Sequence, residues 1–202
     1  MTRFTPHALI LAATLAALPL TPAAISAAQA APAVSYSTVQ AAQSRLSFVF
    51  KQMNVPVEGK FNRFAAQIDF NPAKPEAGHA AFTVDIASID AGSAEANGEV
   101  VGKNWFNAKV FPQAKFASTA IKALGGNRYQ VTGNLTIKGR SHPVTAPFTF
   151  TAQGAQGAFD GGFVLKRADF GLGEGEWADF STVANEIQIK VHLLAGSSPA
   201  KK

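Results

Sequence analysis

Apolar and polar residues alternate along most of this chain with a period of two, the pattern typical of half-buried β-strands. In the clearest stretch, Tyr129, Val131 and Leu135 share one face and polar residues occupy the other. The alternation predicts eight strands, over residues 45–51, 64–70, 82–86, 115–122, 129–138, 144–151, 159–166 and 186–193. Pro143 and Pro147 lie at the sixth of these stretches. Because proline cannot donate to a β-ladder, we expect an edge or bulged position there.

One stretch, residues 93–109, fits no strand. It is rich in alanine, contains Glu95 and Glu99, and ends near the bulky pair Trp105 and Phe106. This composition predicts a short helical cap over the strands. Two glycines within it weaken any helix, so we expect this cap to act as a mobile lid.

Eight antiparallel strands with one apolar and one polar face can form a sandwich or a closed barrel, and the pattern alone leaves both open. Closure removes exposed edges, which favours the barrel. A membrane barrel would turn its apolar face to lipid, whereas here the alternating Lys and Asp residues must face water. We therefore predict an all-β fold: an eight-stranded antiparallel barrel, apolar inside and polar outside, with a short helical cap.

The chain begins with the features of a cleavable secretory signal. Residues 1–30 combine Arg3 with no acidic residue, an apolar stretch at about 8–20, and a small-residue end at Ala28-Gln29-Ala30. The apolar stretch is too short for a permanent membrane span. We predict cleavage after Ala30, export to a bacterial periplasm, one domain over residues 31–195, and a disordered tail over residues 196–202.

The amino-acid composition narrows the classes of function that the protein can have. The chain contains no cysteine, so disulfide and thiol chemistry are excluded. Its formal net charge is +5, but the basic residues are scattered, which argues against nucleic-acid binding. No nucleophile motif or metal-ligand spacing is present, and we expect neither a metal site, nor a cofactor, nor enzymatic activity. If the protein were an enzyme, Asp169, Glu174 or Glu176 would be the acid or base.

The aromatic content suggests a ligand. Of the 16 Phe residues, all but Phe4 follow the predicted signal, and most fall on inward faces. Small residues share those faces and would leave space along the axis; these are Ala66, Ser118, Gly133, Ala146 and Gly161. An apolar tunnel selects an apolar ligand, since each buried methylene contributes about 0.8 kcal/mol. We predict that the ligand contacts Phe48, Phe50, Phe64, Ile68, Phe82, Val84, Leu135, Ile137, Phe148 and Phe163, with Trp105, Phe106 and Trp177 near the mouth.

A succession of motifs resembles the YceI-like family across nearly the whole predicted domain. The matching segments, in order, are residues 44–48, 57–61, 84–89, 105–106, 111–116, 131–139, 167–171 and 185–189. The resemblance implies an extended lipocalin-like barrel, exported to the periplasm, that holds an isoprenoid or another long-chain lipid.

This sequence departs from the family pattern in two places. Gln52 stands where a His is common after the first predicted strand, and Ala96-Asn97 stands where an Arg-Asp pair is common. If those family residues hold a head group, the resemblance implies that this protein prefers a different or less polar one.

The leading hypothesis is a periplasmic carrier for a polyisoprenoid, an isoprenoid quinone or a fatty-acid-like chain, with no stable membrane insertion. One alternative is a stress-response or interaction scaffold whose barrel interior is filled and takes no ligand. Another is an enzyme that acts on a lipid-like substrate. The predicted edge at the sixth strand would permit a homodimer.

Overall fold

The computed structural model describes Met1 and residues 34–199 of the chain. The predicted signal, residues 1–30, lies outside the described stretch apart from Met1. Within the described residues there are eleven strands and one α-helix. They are β1 (Val34–Val39), β2 (Arg45–Gln52), β3 (Val55–Phe61), β4 (Phe64–Asp69), β5 (His79–Asp85), β6 (Ile89–Asp90), α1 (Ala94–Val100), β7 (Gln113–Gly125), β8 (Arg128–Ile137), β9 (Arg140–Gln153), β10 (Gln156–Lys166) and β11 (Glu186–Pro199).

The strands form one antiparallel sheet that curls on itself, in the order β4-β5-β7-β8-β9-β10-β11-β2-β3-β6. β1 pairs with β11 and also joins the end of β4, because Tyr36 and Phe70 exchange two backbone hydrogen bonds of 2.9 and 3.2 Å. The chain bends at residues 62–63, so that β3 pairs with β2 and β6 while β4 pairs with β5. The predicted all-β, lipocalin-like barrel with a short helical cap is confirmed.

All eight predicted strands are present, but the predicted number is too low. The three additional strands are β1, β3 and β6. β3 contains Pro56 and Gly59, and β6 is only two residues long. Neither presents enough alternation to be recognised locally, and β1 is specified by its distant partners β11 and β4.

The predicted disordered tail is wrong for residues 196–199. β11 continues to Pro199, which pairs with Val34 at the start of β1. Small polar residues suggest disorder in isolation, but here the backbone hydrogen bonds of a second strand hold them. Residues 200–202 lie outside the described residues.

The two prolines of β9 coincide with a local free edge. β9 pairs with β8 from Arg140 to Thr149, but its ladder with β10 stops at Phe148 opposite Gly161. Beyond Gly161, β10 continues to Lys166 and pairs there with β11 but not with β9. The segment that contains both prolines therefore has a partner on one side only, which confirms the expected edge position.

An aromatic cluster fills one end of the barrel. Phe70 is at its centre, 2% exposed, with four ring centroids between 5.1 and 5.8 Å away. These rings belong to Tyr129, Phe148, Phe150 and Phe159. A second buried cluster, which includes Ile86, Trp105 and Leu172, lies at the other ends of the strands. We call this second region the lid end, because α1 packs there.

Connections from four parts of the chain meet at the lid end: the β2–β3 turn, the β6–β7 connection with α1, the β8–β9 turn and the β10–β11 loop. Backbone and side-chain hydrogen bonds join them, namely Met53 N to Thr182 O at 2.9 Å, Gly173 N to Asn104 O at 2.8 Å, and Lys138 Nζ to Gly171 O at 2.7 Å. These hydrogen bonds hold the connections at the lid end in contact with one another. In the described part of the chain, no helix has the length and apolar character needed to cross a membrane.

Candidate ligand-binding cavity

A cavity of about 540 Å³ lies inside the barrel between the aromatic cluster and the lid end. Its wall is mainly apolar and comes from the inward faces of the strands and from α1. This volume falls within the range of about 300–1,000 Å³ that small-molecule sites occupy. The alternation of the strands explains the apolar wall, since every second side chain points inward.

Twelve of the thirteen residues predicted to contact a ligand line this cavity. On the strands they are Phe48, Phe50, Ile68, Phe82, Val84, Leu135, Ile137, Phe148 and Phe163, and at the lid end Trp105, Phe106 and Trp177. Phe64 does not line it. That side chain opens β4 directly after the bend at residues 62–63 and packs, partly buried, against both core clusters. Contact between the lining residues and a ligand stays a prediction.

Further lining residues were absent from the prediction although their pattern was visible. The inward face of β11 contributes four of them, Ile187, Ile189, Val191 and Leu193. Their strict alternation with polar neighbours was sufficient to identify them. By contrast, the polar lining residues Glu95, Glu99 and Arg167 carry no local signal, because only the fold brings them to the cavity.

The small inward residues play two different roles. Ala146 and Gly161 line the cavity and leave space, as expected. Gly133 is instead covered by a neighbouring ring, since a β-carbon there would lie 2.5 Å from Phe116 Cζ. An aromatic ring over a strand glycine is a packing device, so this glycine adds no space to the cavity.

The helix α1, predicted to act as a lid, lines the cavity at the lid end. Its first turn is capped by Ser93, whose Oγ accepts a hydrogen bond from Ala96 N at 3.1 Å. The side chain of Glu99 reaches across to the β10–β11 loop and accepts a hydrogen bond of 2.8 Å from Trp177 Nε1. Glu95 and Glu99 both line the cavity from this helix.

Arg167 holds the β10–β11 loop together from inside. It is 1% exposed, and its guanidinium donates to five main-chain carbonyl oxygens. These belong to Leu172, Gly173, Trp177, Val183 and Ala184. The guanidinium carbon Cζ lies over the Trp105 ring, 5.2 Å from the ring centroid. Burial lowers the pKa of Arg167 below its ordinary value, because desolvation disfavours the charged form.

Glu174 forms an ionic cluster outside the cavity. Its carboxylate contacts Lys138 Nζ at 3.0 Å and Arg140 Nη2 at 3.2 Å. The hydrogen bond and the charge of Lys138, followed by the smaller contribution of Arg140, hold the pKa of Glu174 below its usual value. Asp169, Glu174 and Glu176 are all absent from the cavity wall. In the described residues, no three His, Asp or Glu side chains come together as a metal site.

Trp105 lines the cavity, but one of its atoms is covered by the protein and has no hydrogen-bond partner in the described part of the chain. Trp105 is 8% exposed, and its indole Nε1 meets no acceptor among the described residues. The ring centroid of Trp177 lies 5.8 Å from that of Trp105. The indole N–H of Trp177 does have a partner, because it donates a hydrogen bond to Glu99. Buried donors are normally satisfied in folded proteins, so the Trp105 indole is an exception among the described residues.

The sequence and the fold of this chain match those of known proteins. The model of the YceI-like domain matches residues 37–195. This chain belongs to the YceI-like family. A UPF0312 protein of Azotobacter vinelandii is 31% identical over 187 residues, covering 89% of this chain and 95% of that protein. A UPF0312 protein of Pseudomonas putida is also 31% identical, over 191 residues, covering 88% and 95%.

Solved structures of the same fold include BcnA of Burkholderia cenocepacia, with 53% identity and a TM-score of 0.76 over 78% of this chain and 99% of that one. A polyisoprenoid binding domain from Saccharophagus degradans has a TM-score of 0.62 at 16% identity, covering 83% of this chain and all of that domain. The second likeness concerns the fold alone.

Proposed function

We propose that this protein is a periplasmic carrier that holds a long-chain apolar lipid inside its barrel. The observation that carries the proposal is the cavity of about 540 Å³ whose wall is formed mainly by apolar side chains. An apolar cavity of this size favours a chain of methylene and methyl groups, each worth about 0.8 kcal/mol on burial.

The ligand we propose is a polyisoprenoid, an isoprenoid quinone or a fatty-acid-like chain. A neighbour of the same fold is described as a polyisoprenoid binding domain, which supports the first two. The aromatic cluster at one end limits the depth of the cavity, so the far end of a ligand chain would pack against Phe70 and its surrounding rings. The lid end would then receive the head group.

The periplasmic location rests on the sequence of the first thirty residues. Cleavage after Ala30 would leave β1 complete, since this strand begins at Val34 and is needed to pair with β11. The N-terminal mass of the protein secreted from a bacterial host tests this point. A mature chain that begins at Ala31 is expected, and an uncleaved chain would contradict the proposal.

A filled scaffold is less well supported, because it requires a solid interior where a cavity lies. An enzymatic role is also less well supported, because the three carboxylates expected to act as acid or base are not in the cavity wall. A homodimer stays a prediction. The free edge of β9 around Pro143 and Pro147 is the surface on which we would look for it.

The first experiment is to express the full chain in a bacterial host, purify the secreted protein without detergent, and measure native and denaturing mass spectra. A stoichiometric long-chain lipid released on denaturation is the expected result. An empty protein that also fails to take up geranylgeraniol or a long-chain fatty acid would overturn the carrier proposal.

A matched pair of variants of β9 tests whether the lipid binds in the cavity or on the outer face of the barrel. Ala146→Phe places a ring in the cavity wall and is expected to weaken lipid binding at least tenfold, because it occupies the ligand's volume. Thr151→Phe places the same ring on the exposed outer face of the same strand. Equal lipid binding by both variants would show that the lipid lies elsewhere.

A further inference from the structure

The barrel wall has a gap where β9 and β10 separate. Their ladder begins at the turn that joins the two strands and stops at Phe148 opposite Gly161. Beyond this point, in the described residues, β9 continues beside β8 alone and β10 beside β11 alone. We call the gap between residues 143–147 of β9 and residues 162–166 of β10 the β9–β10 window.

The two prolines of β9 explain why the ladder stops. In an antiparallel pair of strands, hydrogen-bonded and non-hydrogen-bonded residue pairs alternate, and the two residues that flank a two-residue turn form a hydrogen-bonded pair. Continued in this register, the hydrogen-bonded pairs beyond Phe148 would be Pro147–Gly162, Thr145–Val164 and Pro143–Lys166. Proline has no N–H, so two of these three pairs lack a donor. The sequence of β9 therefore prevents the two edges from joining.

The β9–β10 window lies against the cavity. Both of its edges contribute to the cavity wall, and the contributing residues are Val144, Ala146, Pro147, Gly162, Phe163 and Leu165. The outward side chains of the edges are also apolar at several positions, since Pro143 and Pro147 are exposed and Val164 is 58% exposed. Five residues of a strand extend about 15 Å, so the window is long compared with the width of a lipid chain.

Contacts between residues on either side close both ends of the window. The pair of Phe148 and Gly161 ends it next to the aromatic cluster. Towards the lid end, the segment that follows β10 returns to β9, where Phe170 packs against His142 with the ring centroids 5.0 Å apart. The buried Arg167 holds this segment through its hydrogen bonds to main-chain carbonyl oxygens. None of these contacts involves α1, so the window keeps its shape whether or not α1 moves.

We propose that ligands enter and leave the cavity through the β9–β10 window, while α1 stays in place. This inference rests on the proposed function, since it assumes that the cavity holds a ligand. A route past α1 would require hydrogen bonds to break, because Glu99 and Asn104 both bond to the β10–β11 loop. The window has no ladder to break, because its two edges are not paired with each other.

Covalent closure of the window tests this route. The chain contains no cysteine, so a pair of introduced cysteines supplies the only thiols. Thr145→Cys with Val164→Cys places one exposed thiol on the outer face of each edge, and dithiobismaleimidoethane then bridges them. Stopped-flow fluorescence measures how fast N-phenylnaphthylamine enters and leaves. Bridging is expected to slow both rates at least about tenfold and to change the Kd less than about twofold, because a blocked route alters rates and not end states.

The matched control bridges a paired ladder. Thr132→Cys with Thr145→Cys shares one cysteine with the first variant, but its second cysteine lies on β8, directly opposite the first. The two native hydroxyls are 3.2 Å apart, so the same reagent links this pair without covering the window. We expect this bridge to leave both rates unchanged. Reduction of the disulfide within the reagent should restore the original rates in the window variant.

A second variant closes the window without a reagent. Pro143→Thr with Pro147→Thr restores N–H donors at both positions and supplies residues that favour strands. The β9–β10 ladder is expected to lengthen, so that amide hydrogen exchange of Thr145 and Val164 slows. Entry and release of N-phenylnaphthylamine should then slow together, as they do in the bridged protein.

The outcomes separate this inference from the proposed function. If neither N-phenylnaphthylamine nor geranylgeraniol binds to the unmodified protein, the carrier proposal fails. If they bind, but bridging the window leaves both rates unchanged or the control bridge slows them equally, the window is not the route and the carrier proposal stands. Each variant is also checked for a native circular dichroism spectrum, so that misfolding is not read as a blocked route.

Discussion

At the scale of single residues, Arg167 shows how one charged side chain organises a loop. Arg167 is 1% exposed, and its guanidinium donates to five carbonyl oxygens of the loop. No carboxylate of the described residues lies within ion-pair distance of it. The planar fork of donors and the cation–π contact with Trp105, rather than an ion pair, therefore hold this charge in the interior.

Arg167→Lys is expected to destabilise the fold by about 3 kcal/mol or more, since a lysine has three donors and cannot reach all five carbonyl oxygens. The measurement is the free energy of unfolding in urea. Arg140→Lys is the control, because Arg140 is half exposed and its ion pair is worth about 1 kcal/mol or less. Equal losses from the two substitutions would contradict the role assigned to Arg167.

Glu174 gives the fold a dependence on pH. Its pKa in the folded protein is lowered, chiefly by Lys138, from an ordinary value of 4.5. A lowered pKa means that the carboxylate stabilises the fold above its unfolded pKa, and that this contribution is lost as the pH falls through the folded pKa. The contribution is small, below about 1 kcal/mol, because Glu174 is half exposed to water.

Glu174→Gln is accordingly expected to flatten the loss of stability between about pH 5 and pH 3 and to change stability at pH 7 by less than about 1 kcal/mol. Urea unfolding across this pH range measures both quantities. An unchanged slope in the variant would mean that other carboxylates carry the acid sensitivity.

At the scale of elements, the lid helix α1 is short and carries a glycine in its interior. Gly98 lies within Ala94–Val100, and a β-carbon there would meet nothing within 4 Å. Gly102 lies just beyond the helix and has no such space, because a β-carbon added there would lie 2.9 Å from Glu99 O. The helix is held in place by its Ser93 cap and by the bond from Trp177 to Glu99, and its own propensity contributes little.

Gly98→Ala is expected to stabilise α1 by about 0.5–1 kcal/mol, because alanine loses less backbone entropy than glycine in a helix. Amide hydrogen exchange of α1 should slow, and release of a bound lipid should slow with it if the lid opens for release. Gly102→Ala is the contrasting variant and should show no stabilisation. Faster amide hydrogen exchange of α1 in the Gly98→Ala variant would contradict the expectation that Gly98 destabilises this helix.

At the scale of the whole molecule, closure depends on pairing between the two ends of the chain. β1 joins β11 on one side and the end of β4 on the other. An interior closed in this way can exclude water and bind a lipid only when the fold is intact. Lipid binding and global stability should therefore be linked.

A neutral prenyl lipid at about 100 times its Kd is expected to raise the free energy of unfolding by about 2.7 kcal/mol, provided that the unfolded chain does not bind it. Urea unfolding with and without geranylgeraniol measures this increase. Ala146→Phe should show a much smaller increase at the same lipid concentration, because its side chain fills part of the cavity. Equal stabilisation of both proteins would argue for binding outside the barrel.

The sequence by itself determined eight of the eleven strands of the described residues and which face of each of these eight is apolar. Period-two alternation is a local property, so eight strands, the helical cap and twelve cavity-lining positions could be read without knowing any long-range contact. The resemblance to the YceI-like family, carried by ordered motifs, was equally a property of the sequence.

Only the tertiary structure decided how the chain closes and where its polar groups meet. The pairing of Val34 with Pro199, the bend that withdraws Phe64 from the cavity, and the five carbonyl oxygens around Arg167 join residues that the sequence presents as unrelated. The unpaired donor of Trp105 belongs to the same group, since whether a polar atom has a partner depends on every chain segment packed around it. Local patterns cannot encode such contacts, because they arise from the packing of distant segments.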